Sequence, residues 1–116
     1  MSSDVTTVVK QYIEVWNIQD EAARRAAVEE LFTEDVEYVD PNIAARGRDE
    51  VDGYIVVTQK QLAGMVFWLT GEISTHHNLA RFTWQCGPAG GAAVATGYDF
   101  AEVRDGKVRR LYGFFS

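Results

Sequence analysis

Apolar residues fall at Val5, Val8, Val9, Tyr12, Ile13, Val15 and Trp16, the three-and-four spacing of an amphipathic helix with a broad buried face. Ser3 or Asp4 stands where that helix needs a cap. After the short break Asn17-Ile18-Gln19, Asp20 is placed to cap a second helix running to about Phe32, with Glu21 at the positive end of its dipole. Ala22, Ala23, Ala26 and Ala27 let a neighbouring element approach closely, while Val28, Leu31 and Phe32 anchor the far end. Val36 to Asp40 reads as a strand, Asn42 to Arg46 as irregular chain, and Asp49 as the cap of a third helix reaching roughly Leu62.

The second half changes period. Val66 to Ile73, Asn78 to Cys86, Ala92 to Arg104 and Lys107 to Phe115 are rich in aromatic and β-branched residues, the composition of strands. Gly87 to Gly91 supplies one hairpin loop, and Asp105-Gly106, where both residues accept positive φ, supplies another. Helices gathered first and antiparallel strands gathered later predict an α+β domain over residues 1–116, with helices packed on one side of a sheet. Long, strongly twisted strands can wrap around helices and leave a conical cavity.

Charge narrows the partners. Eleven basic against seventeen acidic residues give a net charge of -6, a field that repels phosphate backbones and anionic membranes. No nucleic-acid or membrane partner is therefore expected. No apolar run approaches the ~20 residues of a membrane span, and Met1-Ser2-Ser3-Asp4 lacks the pattern of a signal peptide, so a cytoplasmic location is expected. The single cysteine, Cys86, agrees with that.

Three polar residues stand out against apolar surroundings. Asp40 ends the run Val36-Glu37-Tyr38-Val39, and Pro41 biases it towards extended backbone. In that position it is either a site carboxylate or a turn residue bonding local amides. Asp99 is the one charged member of a row formed by Ala93, Ala95, Gly97, Ala101 and Val103 on a single strand face. Burial there would raise its pKa and let it donate a hydrogen bond at neutral pH. Tyr12 lies on the apolar face of the first helix. If these three converge, they form a proton-transfer site.

The element order, together with Tyr12-Ile13-Glu14 and Asp20, Glu37-Tyr38-Val39-Asp40-Pro41, Gly47-Arg48 and Tyr98-Asp99-Phe100, resembles the nuclear-transport-factor-2-like cone fold shared by ketosteroid isomerases and SnoaL-like polyketide cyclases. The resemblance implies a cofactor-independent isomerase or cyclase in which Asp40 is the general base and Tyr12 and a protonated Asp99 form the oxyanion hole. It also implies a homodimer and a small hydrophobic carbonyl-containing ligand. Trp16, Phe32, Tyr54, Phe67, Phe82, Trp84, Tyr112 and Phe114 are the expected pocket lining. Where the isomerases tend to carry tyrosines behind the first oxyanion donor, this chain has Phe32 and Ile55, with Tyr54 one residue away.

Other features read more plainly. His76 and His77, as strand neighbours, should face opposite ways and share no metal. Arg46 and Arg48 should face solvent or select acidic ligands, and Arg81 should lie opposite Phe82 and Trp84. Val94, Thr96, Tyr98 and Phe100 should form an uncovered outer row suited to sheet-to-sheet dimerisation. A noncatalytic ligand-binding or dimerisation module on the same fold is the competing expectation.

Overall fold

The first helix, α1 (Ser2–Val15), buries Val5, Val8, Val9, Tyr12, Ile13 and Val15, the face that its spacing predicts. The computed structural model describes residues 2–116 and the side chains from residue 5 onward, so the cap expected at Ser3 or Asp4 lies outside the described side chains. Helix α2 (Glu21–Leu31) is capped by Asp20, whose carboxylate accepts the Ala23 N–H at 2.8 Å. Phe32 already has extended backbone, so α2 feeds directly into strand β1 (Phe32–Asp40). That strand starts earlier than its apolar run suggests because Phe32, Thr33 and Val36 are all drawn into the core.

The stretch expected to be irregular is a short strand, β2 (Ile43–Arg46), paired antiparallel to β1 from Asp40↔Ile43 to Glu37↔Arg46. Pro41 and Asn42 form the two-residue turn between them. Helix α3 (Gly47–Gln61) begins two residues before Asp49, which therefore does not cap it. Asp49 lies in the first turn and pairs with Arg25 at 2.7 Å, while the Glu50 carboxylate accepts the N–H of Arg46 at 2.9 Å.

Four long strands follow: β3 (Met65–His76), β4 (Leu79–Pro88), β5 (Ala95–Arg104) and β6 (Lys107–Phe115). The sheet order is β2-β1-β6-β5-β4-β3, and every pairing is antiparallel except β1 with β6. Asp105 and Gly106, at φ 54 and 76, make the tight turn that their identity predicts. Gly71 at φ 71 lies within the register shift of β3 against β4, one of the irregularities that bend the sheet.

The result is the expected α+β architecture, a curved and mostly antiparallel sheet wrapped around the three helices. Val28, Phe32, Val36, Ile55 and Leu111 are fully buried between the layers. Each such side chain contributes about 1.5–3 kcal/mol of transfer free energy. On β5 the alternation is as predicted: Gly97, Asp99, Ala101 and Val103 turn inward, Tyr98 and Phe100 outward. Among the described residues no helix is long and apolar enough to cross a membrane.

Candidate active site

Two aspartates reach the concave face of the sheet from strands separated only by β6. Asp99 pairs across the ladder with Gly113, and the parallel register of Val39 with Tyr112 brings Asp40 alongside the same glycine. A Cβ on residue 113 would stand 2.8 Å from Asp99 Oδ1 and 3.4 Å from the Asp40 Cβ. Glycine there leaves room for both acids.

Asp40 makes the bond expected of a turn residue and also holds two side-chain hydroxyls. Its Oδ1 accepts the Asn42 N–H at 2.8 Å, the local turn bond expected before the hairpin. Its Oδ2 accepts the hydroxyls of Tyr38 at 2.6 Å and Tyr54 at 2.8 Å. Tyr54 has its pKa pushed up to about 12, first by burial and then by its bond to Asp40, while Asn42 and Thr58 act in the opposite direction. Tyr38, more deeply buried, is raised further by desolvation, with Tyr12 and Asp40 adding to the effect.

Asp99 is only 3% exposed. Burial raises its pKa to about 7 and the charge of Asp40 adds to the rise, against hydrogen bonds from Trp84 and Tyr12 that favour the carboxylate. The Trp84 indole packs directly against Gly97, where a Cβ would come within 2.2 Å of ring carbon Cε2. This seating across β4 and β5 gives the indole N–H its access to Asp99. Tyr12 is raised well above its usual value by burial and then by Asp99, with Trp16 and Tyr38 as its further polar neighbours. Asp40, Tyr38, Tyr12 and Asp99 thus form one continuous polar line.

That line borders a cavity of about 330 Å³, lined by Tyr12, Tyr38, Asp40, Tyr54 and Asp99 and by the rings of Trp16, Phe67, Trp84 and Phe115. Tyr12, Asp40 and Asp99, the three residues singled out in the sequence, share it, as do Trp16, Tyr54, Phe67 and Trp84. The other four expected lining residues lie elsewhere. Phe32 and Phe82 are buried behind the Tyr12 ring, at centroid distances of 6.2 and 5.8 Å. Tyr112 and Phe114 project from the outer sheet face, since on β6 it is Gly113 and Phe115 that turn inward.

Several contributors were not foreseen. Tyr38 shares its strand face with Asp40, and that two-residue spacing was the signal for it. Asn42, Thr58 and Phe115 also line the cavity. So do Val94 and Thr96, expected on the outer row; strand β5 starts only at Ala95, so its alternation does not extend back to Val94. Thr58 lies four residues after Tyr54 on α3, one turn along the same helix face.

The basic residues are elsewhere. Arg46 pairs with Glu37 at 3.3 Å, and Arg48 Nε donates to the Phe32 carbonyl at 2.9 Å. Arg81 is exposed opposite Phe82. His76 and His77 do not face opposite ways: His77 turns at φ 51, bringing the two Nδ1 atoms to 3.1 Å on an exposed hairpin.

Residues 9–111 match the SnoaL-like domain model, and the chain belongs to that family. No curated protein matches it. It is similar to a provisionally assigned isomerase of the SnoaL-like family from Agrobacterium tumefaciens, with a TM-score of 0.92, 28% identity and 98% of each chain covered. A provisionally assigned ketosteroid isomerase from Kribbella flavida aligns at a TM-score of 0.73 and 19% identity, covering 98% of this chain and 78% of that one. A de novo designed protein with a curved β-sheet aligns at 0.78 and 16%, covering 100% and 88%. At such identities likeness speaks for the fold alone, so function has to be argued from the site.

Proposed function

We propose that this chain is a cofactor-independent isomerase or cyclase that removes a proton next to a carbonyl. Asp40 takes the proton from the carbon, the enolate oxygen accepts hydrogen bonds from Tyr12 and protonated Asp99, and Asp40 returns the proton to another carbon of the conjugated system. The observation that carries this reading is the meeting of Asp40, Tyr12 and Asp99 at one largely apolar cavity. With Asp99 at about 7, its donating form is substantially populated at neutral pH. A positioned base contributes roughly a hundred- to ten-thousand-fold, and one oxyanion donor about a hundred- to a thousand-fold.

The test is isomerisation of a small β,γ-unsaturated ketone such as cyclohex-3-enone, followed by the absorbance of the conjugated product. Asp40→Asn should abolish it with the fold intact, and Asp99→Asn should reduce it less, because an amide still donates. Turnover by Asp40→Asn equal to wild type would sink the assignment.

A second reading, a noncatalytic module binding a hydrophobic ligand, draws on the engagement of both Asp40 oxygens by three donors. The two differ in what happens to Tyr54. A base must exchange one of its hydrogen bonds for the substrate's proton, and Tyr54, less buried than Tyr38, is the partner able to yield. We further propose that two chains associate through the outer sheet face, where Tyr98, Phe100, Tyr112 and Phe114 are exposed.

A further inference from the structure

The tip of the β3–β4 hairpin brings two imidazoles together. His76 is the last residue of β3 and pairs across the ladder with Leu79, the first of β4. His77 stands in the turn between them at φ 51, a left-handed backbone that histidine adopts more readily than most residues. With that reversal the rings no longer point apart. Their Nδ1 atoms come to 3.1 Å, and the ring planes cross at 88°.

The turn is also held from a third strand. Asn78 Nδ2 donates to the Val103 carbonyl at 3.0 Å, and the Asn78 carbonyl accepts the Val103 N–H at 2.8 Å. The backbone on both sides of His77 is therefore fixed, by β4 through His76 and by β5 through Asn78. This preorganisation lowers the cost of holding both rings on one ligand. Both side chains are exposed, so the rings remain free to turn towards it.

Distance selects what can join them. At the ~2.0–2.1 Å usual for a bond from imidazole to a divalent metal, two nitrogens at adjacent corners of a tetrahedron or a square stand roughly 2.8–3.4 Å apart. The observed 3.1 Å lies inside that range. Without a metal the contact is a hydrogen bond from one Nδ1–H to the other Nδ1. With a metal both Nδ1 lone pairs are used, and the donating ring carries its proton on Nε2 instead, so no proton is lost.

Ligand number and charge narrow the ion. Among the described residues no third histidine, cysteine or carboxylate completes the group. Glu102, which shares an outer groove with His76, is engaged by Arg110 at 2.8 Å. Water must fill the other positions, which disfavours zinc, whose protein sites take three or four side-chain ligands. Copper(II) heads the affinity order of divalent first-row ions, suits imidazole and accepts a tetragonal set of nitrogens and waters. The net charge of -6 attracts a cation.

We infer that His76 and His77 form a two-histidine site for copper(II). Neither residue lines the cavity, so the site is separate from the proton-transfer centre and stands whether or not that reading holds.

Calorimetric titration of the full chain with copper(II) chloride tests this, on wild type, His76→Ala and His77→Gly, the last of which keeps the positive φ of the turn. Wild type should bind one ion per chain. A second ligand already in place acts as an intramolecular partner, so each folded variant should lose at least about tenfold in affinity. Zinc(II) chloride should bind wild type at least about tenfold more weakly than copper(II) does. No copper binding by wild type overturns the inference. A folded variant of either kind that binds within tenfold of wild type also overturns it, the metal then being an adventitious ion only. Zinc binding within tenfold of copper overturns the choice of metal. Electron paramagnetic resonance of the wild-type complex needs no variant: coupling to two imidazole nitrogens is expected, and a spectrum without it contradicts the site.

Discussion

Tyr38 donates its hydroxyl to Asp40 at 2.6 Å from two residues earlier on the same strand, so β1 carries both the carboxylate and the group that holds it. Because side chains two apart share a strand face, the pair is built into the extended backbone and needs no loop to position it. Tyr54 reaches the same oxygen from α3. The site is therefore braced from sheet and helix together.

Removing the strand-borne brace should be costly. Tyr38 and Asp40 are 5% and 8% exposed, and a hydrogen bond to a charged group at such a place is worth about 1.5–3 kcal/mol. Tyr38→Phe should lower stability in urea by roughly that amount, and Tyr54→Phe by less, since water can reach its position. Equal stability of Tyr38→Phe and wild type would show that the bond does not hold Asp40.

The protonation of Asp99 should be visible in stability. Its folded pKa of about 7 lies above the ordinary carboxyl value of 3.8, so between these values the folded state binds more protons than the unfolded one. Stability is then fully retained below the unfolded value and is lost as pH rises through the folded one. The loss should be roughly 2–3 kcal/mol between about pH 5 and pH 8. Asp99→Asn should remove this dependence and be more stable than wild type at the higher pH. Parallel urea curves for the two proteins across that range would contradict the burial argument.

The outer face offers a separate check. Phe100 and Phe114 lie 6.1 Å apart, centroid to centroid, and both are exposed. Wild type should sediment as a dimer, and Phe100→Lys with Phe114→Lys should sediment as a folded monomer. A wild-type monomer at micromolar concentration would remove the assembly from the account.

Much of this was legible in the sequence where a pattern had one buried side. Asp99 was found because its neighbours on alternate positions are small and apolar, and α1 because its spacing fits one helical face. Strand β6 was harder. It carries apolar residues on both faces, Val108 and Leu111 inside and Tyr112 and Phe114 outside, so alternation alone did not say which aromatics enter the cavity. Strand β2 is four residues long and exists through pairing with β1, a long-range property absent from its own composition. The hydroxyls around Asp40 came from Tyr38 and Tyr54, whereas Phe32 and Ile55, the positions compared with the isomerases, are fully buried core.

Proton abstraction by Asp40 is the central claim, and exchange at carbon observes it without requiring the full reaction. The measurement is deuterium incorporation from D₂O at the α-carbons of 2-tetralone, followed by proton NMR with wild type and Asp40→Asn at equal concentration. The account predicts exchange well above the buffer rate for wild type, and a fall of at least about a hundredfold for a folded Asp40→Asn. Exchange by Asp40→Asn at the wild-type rate would contradict it.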